Sequence, residues 1–264
     1  MDLQLQGKVA IVTGAGRGIG LAITTALAQE GAAVVAANLT LNDDLTKLAD
    51  HFPVSPVLID MAAPDGPQHM IDQAVNQFGR VDILVNNVGA FTFHAGGFLS
   101  ITDHDWERSL ALNLMTTVRA ARAVLPVMIE QGQGSIVNVS SVNARLPGSE
   151  VAEYSAAKAA ITNVTRMLAE EFTPKGVRVN AVAPGPVSTE AWVGPGGVAE
   201  AIAQASGTTR ERVVEQAAQM NHMTIGRMIS AEEVATLVLF LASERAAGIT
   251  GTEYLIDGGM VKTT

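Results

Sequence analysis

Tyr154 and Lys158 stand four residues apart in Tyr154-Ser155-Ala156-Ala157-Lys158, a spacing that puts a phenol and an ammonium one turn apart on one face of a helix. An ammonium beside a phenol favours the phenolate and lowers its pKa from about 10, as a tyrosine requires to take up or release a proton near neutrality. With two tyrosines and five lysines in the chain, this spacing is expected by chance roughly 4% of the time. A surface pair is the alternative; the surrounding alanines and Ile161 argue instead for a mostly buried helix.

A second group of residues suits a phosphate. Thr13-Gly14-Ala15-Gly16-Arg17-Gly18-Ile19-Gly20 follows an apolar β-branched run and opens a helical pattern. Its determining glycines, Gly14, Gly18 and Gly20, depart from the G-x-G-x-x-G spacing, but the physics is shared: a tight turn, close approach of a pyrophosphate to backbone amides, and the positive end of a helix. The residue that reads the adenosine ribose of a dinucleotide is expected about 20 residues further on, at the end of the second strand. Asn38 stands there, followed by Leu39 and Thr40. A carboxylate at that place would repel a 2′-phosphate, and none is present, so Asn38, Thr40 and Arg17 are expected to accept one; NADP is favoured over NAD. Asp43 and Asp44 are more simply the start of the next helix.

These residues need a frame. Short β-branched runs at 9–13, 33–37, 54–59, 83–86, 135–140, 177–183 and 254–256 alternate with helical patterns at 18–29, 42–51, 67–78, 103–131, 154–172 and 231–242. Near-continuous apolar strands separated by helices predict an α/β fold, a Rossmann-type doubly wound parallel sheet in a single domain over residues 1–264. The segment 190–230 breaks the rhythm. It opens Trp192-Val193-Gly194-Pro195-Gly196-Gly197 and holds a predicted helix over 209–220. It is read as a substrate lid over the carboxyl edge of the sheet, with Trp192 as an aromatic wall and an oligomer contact as the alternative.

Composition narrows the partners. Hydrophobic residues make up 48% and charged residues 16%, enough for a large core. Seventeen Lys plus Arg against 26 Asp plus Glu give a formal charge of −9 without a basic cluster, which argues against nucleic acid. The absence of cysteine removes disulfides and thiolate nucleophiles. The start Met1 to Lys8 carries no signal-like apolar stretch, and the late apolar run Leu237 to Ala242 is too short for a bilayer, so a cytoplasmic protein with no membrane partner is expected. His51, His69, His94, His104 and His222 are scattered without metal-ligand spacing, and no metal is expected. They read as structural or solvated, His94 being the one able to reach a substrate. Arg145 and Glu150, between Ser141 and Tyr154, read as exposed loop charges, with a substrate-facing place as the alternative.

The motifs together resemble the short-chain dehydrogenase/reductase family, and 3-oxoacyl reductases within it, along nearly the whole length: Thr13 to Gly20, Asp60, Asn86-Asn87-Val88-Gly89, Asn113, Ser140-Ser141, Tyr154 with Lys158, and Pro184-Gly185 with Thr189. The resemblance implies a catalytic tetrad of Asn113, Ser141, Tyr154 and Lys158. Ser141 is chosen over Ser140 for its place 13 residues before Tyr154. It implies that Tyr154 exchanges the proton, Ser141 bonds the substrate oxygen, Lys158 also holds the nicotinamide ribose, and Asn113 holds a relay water. Without the family, Asn113 reads as a mid-helix residue bonding its own backbone. It further implies cofactor contacts from Gly14, Arg17, Gly18, Ile19 and Gly20, from Asp60 to the adenine, from Asn87 and Gly89 on the adenosine side, and from Pro184, Gly185, Val187 and Thr189 around the nicotinamide. Val88 replaces the family's alanine. The implied activity is carbonyl–alcohol interconversion on a small molecule by a homotetramer. A silent cofactor-binding sensor or scaffold, and a sugar-nucleotide epimerase or dehydratase, are the alternatives.

Overall fold

Seven parallel strands form one sheet in the order β3-β2-β1-β4-β5-β6-β7, in a computed structural model that describes residues 2–262. Residues 1, 263 and 264, which the single-domain expectation also spans, lie outside the described residues. The strands are β1 Val9–Thr13, β2 Ala33–Asn38, β3 Val54–Leu58, β4 Ile83–Asn86, β5 Gly134–Val139, β6 Val177–Pro184 and β7 Glu253–Ile256. Each is within a residue of its predicted limits. Side chains point alternately to the two faces, and both faces are apolar: in β1, Ala10 and Val12 join one core and Ile11 the other, and in β4, Ile83 and Val85 oppose Leu84 in the same way.

Helices α1 Gly18–Gln29, α2 Asp43–His51 and α10 Ala231–Ala242 cover the first face; α3 Gly66–Phe78, α5 Thr116–Gln131 and α6 Ala152–Phe172 cover the second. Local chemistry sets their ends. The Asn42 side chain accepts from the Leu45 amide at the start of α2, Ser230 and Glu233 form a reciprocal capping box at α10, and Gly79 ends α3 at φ +73°. The predicted helix 103–131 is three pieces: α4 Asp103–Ser109, a π-helical segment Leu110–Met115, and α5. This run is long and apolar enough by length and composition to cross a membrane. Ala120, Val124, Leu125 and Met128 nonetheless pack into the second core.

The strand order reverses between β1 and β4. Doubly wound sheets form their binding crevice at the carboxyl ends of the strands beside such a reversal. The excursion after β6 contains α7 Glu190–Val193, α8 Val198–Ser206 and α9 Arg210–Met220, of which only the last was predicted. It has a small core of its own, with Ala199, Ala203 and Val213 buried beneath Trp192 and Ile202. A bridge between Val187 and Ile229 closes its base.

Candidate active site

The glycine turn is built as its spacing requires. Gly14 and Gly18 have φ of +66° and +54°, and a Cβ on Gly20 would come within 2.0 Å of the Gly14 carbonyl oxygen. Arg17, exposed, precedes α1 without capping it by its side chain, and the first turn carries no acid. The amides of Gly18, Ile19 and Gly20 therefore face outward at the positive end of a helix, a cradle that fits a pyrophosphate. Asn87 ties this turn to β4: its Nδ2 donates to the carbonyls of Thr13 (3.0 Å) and Gly14 (3.2 Å), while Thr13 Oγ1 accepts from the Asn87 and Val88 amides.

Asn38 ends β2 against the same turn. Its Nδ2 donates to the Thr40 carbonyl at 2.6 Å, and a Cβ on Gly16 would fall 2.2 Å from that nitrogen. Asn42 reaches back to donate to the Gly16 carbonyl. Asn38, the exposed Thr40 and Arg17 thus border one edge of the crevice. Asp60, also exposed, follows β3 and accepts from the Ala62 amide at 2.8 Å.

The π-helical segment turns Asn113 inward, fully buried. Its Oδ1 accepts from the Ala90 amide (3.0 Å), and its Nδ2 donates to the carbonyls of Ala90 (2.8 Å) and Ser109 (3.1 Å). Bonding within its own helix is therefore present, but so is a clamp on the loop after β4. A Cβ on Gly89 would meet Asn113 Oδ1 at 3.0 Å and Lys158 Nζ at 3.2 Å. Gly89 thus stands beside Asn113 and Lys158, in addition to any adenosine contact, and the close approach explains why glycine occupies it.

Lys158 is buried on α6, and its Nζ donates to the Val139 carbonyl at 2.8 Å. Burial pulls its pKa down to about 8. Its ammonium lies 5.6 Å from the centre of the Tyr154 ring. The expected depression of the phenol is not what this environment produces. Burial raises the Tyr154 pKa above its ordinary value, and a hydrogen bond with Ser141 pulls the other way. Ser141, just past β5, also accepts from the Asn143 amide and donates to Asn143 Oδ1, both at 3.2 Å. Ser140 Oγ instead donates to the Lys158 carbonyl and lies 3.4 Å from Thr162 Oγ1.

Pro184 ends β6, and a Cβ on Gly185 would come within 2.9 Å of Asp257 Cα. Thr189 lies so close to the turn that a Cβ on Gly18 would meet its Cγ2 at 3.3 Å, with buried Val187 accepting from the Thr189 amide at 2.7 Å. One crevice therefore brings together the turn, Asn87, Gly89, Asn113, Ser141, Tyr154, Lys158 and the 184–189 loop.

His94 is structural rather than solvated: its side chain is 11% exposed, with Nε2 3.4 Å from Glu153 Oε1. Arg145 is exposed, as read, and its Nε donates to buried Glu253 at 2.8 Å. Trp192 packs on the core of its own segment. Two neighbours of Tyr154 were missed. Phe91 lies with its ring centre 5.2 Å from that of Tyr154, and Glu153 is buried. A carboxylate inside an alanine-rich stretch was the one available signal for Glu153; Phe91 had none. Among the described residues, no three His, Asp or Glu side chains gather as metal ligands.

Residues 14–261 match the family model described as enoyl-(acyl carrier protein) reductase. The chain is 34% identical over 265 residues to the 3-oxoacyl-[acyl-carrier-protein] reductase FabG of Thermotoga maritima, covering 98% of this chain and 100% of that one. It is 36% identical over 257 residues to dehydrogenase/reductase SDR family member 6 of Rattus norvegicus, covering 97% and 98%. The crystal structure of L-sorbose reductase from Gluconobacter frateurii, complexed with NADPH and L-sorbose, superposes with a TM-score of 0.92 at 33% identity over the whole of both chains. Likeness of this extent in sequence and in fold means that the chain belongs to the short-chain dehydrogenase/reductase family, NAD(P)-dependent oxidoreductases that interconvert carbonyl and alcohol groups.

Proposed function

We propose that Tyr154 is the acid/base of this oxidoreductase, and the observation that carries it is the meeting of the Tyr154 phenol with the Ser141 hydroxyl and the Lys158 ammonium in one crevice. The dinucleotide, when bound, supplies or accepts the hydride. Ser141 orients the substrate oxygen by hydrogen bonding, and Tyr154 gives a proton to that oxygen in reduction or takes one in oxidation. Lys158, buried and near neutrality, holds the ribose hydroxyls and offsets the phenolate charge that burial alone disfavours. Asn113 is largely committed to the backbone of Ala90, so a relay water between it and Lys158 would share Oδ1 or bond its backbone.

The outward amides of Gly18, Ile19 and Gly20 and the side chain of Arg17 would hold the pyrophosphate, Asp60, Asn87 and Gly89 the adenosine side, and Pro184, Gly185, Val187 and Thr189 the nicotinamide. NADP is favoured. Asn38 carries no charge against a 2′-phosphate, Arg17 and Thr40 border it, and the sorbose reductase was solved with NADPH. Family membership supports a cytoplasmic homotetramer acting on a small molecule, and residues 190–230 are proposed as its substrate lid.

A panel of ketoses and 3-oxoacyl thioesters with NADPH and NADH tests this. Tyr154→Phe is expected to lower turnover 10²–10⁴-fold while NADPH affinity holds within about twofold; turnover within tenfold of the parent would remove Tyr154 from the chemistry. In the parent, kcat/KM with NADPH should equal or exceed that with NADH, and a strong preference for NADH would mean that Asn38 reads the ribose diol.

A further inference from the structure

The loop of residues 90–97, which leaves β4, is fastened to the helices at two places. At its start Asn113 holds both backbone groups of Ala90. Four residues on, His94 donates its amide to the Glu150 carbonyl at 2.9 Å, and its imidazole meets Glu153. The Glu153 side chain is 2% exposed, and neither Glu153 Oε2 nor His94 Nε2 has a hydrogen-bond partner. A carboxylate so deeply buried needs a neighbour that compensates it, and His94 is the group the fold puts there. Glu153 adjoins Tyr154 on α6. Between the two fastenings, the Phe91 ring leans on the Tyr154 ring at 50° with 40% of its surface exposed, so it borders the open side of the phenol.

We propose that His94 is a positioning residue: its buried pairing with Glu153 holds the loop so that Phe91 stays against Tyr154 and forms the apolar edge on which the substrate's carbon chain rests. This rests on Tyr154 being the acid/base. His94 touches no reacting group, so its effect passes through the loop. It falls on how substrate is seated rather than on proton transfer or on the dinucleotide, whose turn lies across the crevice.

The experiment is a double-mutant cycle on His94 and Phe91, with any carbonyl compound that the parent reduces. His94→Ala and Phe91→Ala are each expected to raise the carbonyl KM about fivefold or more, with kcat within twofold and NADPH Kd unchanged. The double variant should be no worse than the weaker single variant, since both remove the same edge. His94→Gln, which keeps a donor toward Glu153, should restore KM to within about twofold. An unchanged KM in His94→Ala, effects that multiply in the double variant, or kcat, KM and NADPH Kd all shifting together would overturn the proposal. Should His94→Ala fail to fold, Glu153→Gln replaces it in the cycle under the same criteria. Amide exchange over residues 90–97 gives a readout independent of turnover. Protection there should fall in the His94 or Glu153 variant, and unchanged protection refutes the fastening even if no substrate is found. A parent inactive on every carbonyl removes the assignment of Tyr154; an active parent with multiplying effects removes only the role of His94.

Discussion

Lys158 gives the site a measurable signature at the scale of a single residue. Its pKa is about 8 in the fold against 10.5 for the free side chain, so between those values the unfolded chain keeps a proton that the folded chain has shed, and stability rises with pH. Tyr154 works in the other direction above pH 10, where its raised pKa makes the fold retain a proton, so the clean window ends below that. In urea titrations without cofactor, the parent should gain about 2 kcal/mol over Lys158→Met between pH 7.5 and 9.5. A flat difference would mean that the amine stays charged and hydrated. At this scale the sequence was legible where four-residue spacing or glycine chemistry fixes the partner, as for Tyr154 with Lys158 and for the turn at Gly14, Gly18 and Gly20. It was not legible for Glu153 and His94, or for Arg145 and Glu253, whose partners lie 59 and 108 residues away and are chosen only by the packed fold.

The helices and strands were legible where hydrophobic period and end chemistry agree, as in α10 between its capping box and Ser243. The π-helical segment was not, because one extra residue in a helical turn leaves the apolar pattern almost unchanged while rotating Asn113 inward. Helix α8 was hidden behind Gly194-Pro195-Gly196-Gly197, which reads as loop, and its small core with Trp192 forms only once α9 is beside it. That core holds α7, α8 and α9 together, and the lid prediction belongs to this scale. Residues 190–230 are expected to be cut by protease more slowly with NADP or NAD and substrate than alone, and Trp192 emission to change as they close, with Trp106 as background. Equal resistance in all states would favour the oligomer contact.

At the scale of the whole molecule, the sheet order follows from strands too apolar for an exposed face and from helices that must cover both sides. The reversal between β1 and β4 is what lets residues from every third of the chain share one crevice. The far edge is held by ties that no periodicity announces. Arg178 on β6 caps the end of α10 through the carbonyls of Leu241 and Ser243, and Lys262 donates to the His222 carbonyl and Thr224 Oγ1.

The bridge between Val187 and Ile229 brings the two ends of the excursion side by side beyond the edge of the sheet. Between those ends α7, α8 and α9 gather around a small core of their own, with Ala218 packed on the main core, as a tool is seated in a chuck. On the proposed lid reading, substrate range becomes exchangeable cargo: a relative's segment of different length, spliced between the same two points, is expected to bring its own selectivity while the proposed proton-transfer residues stay unaltered.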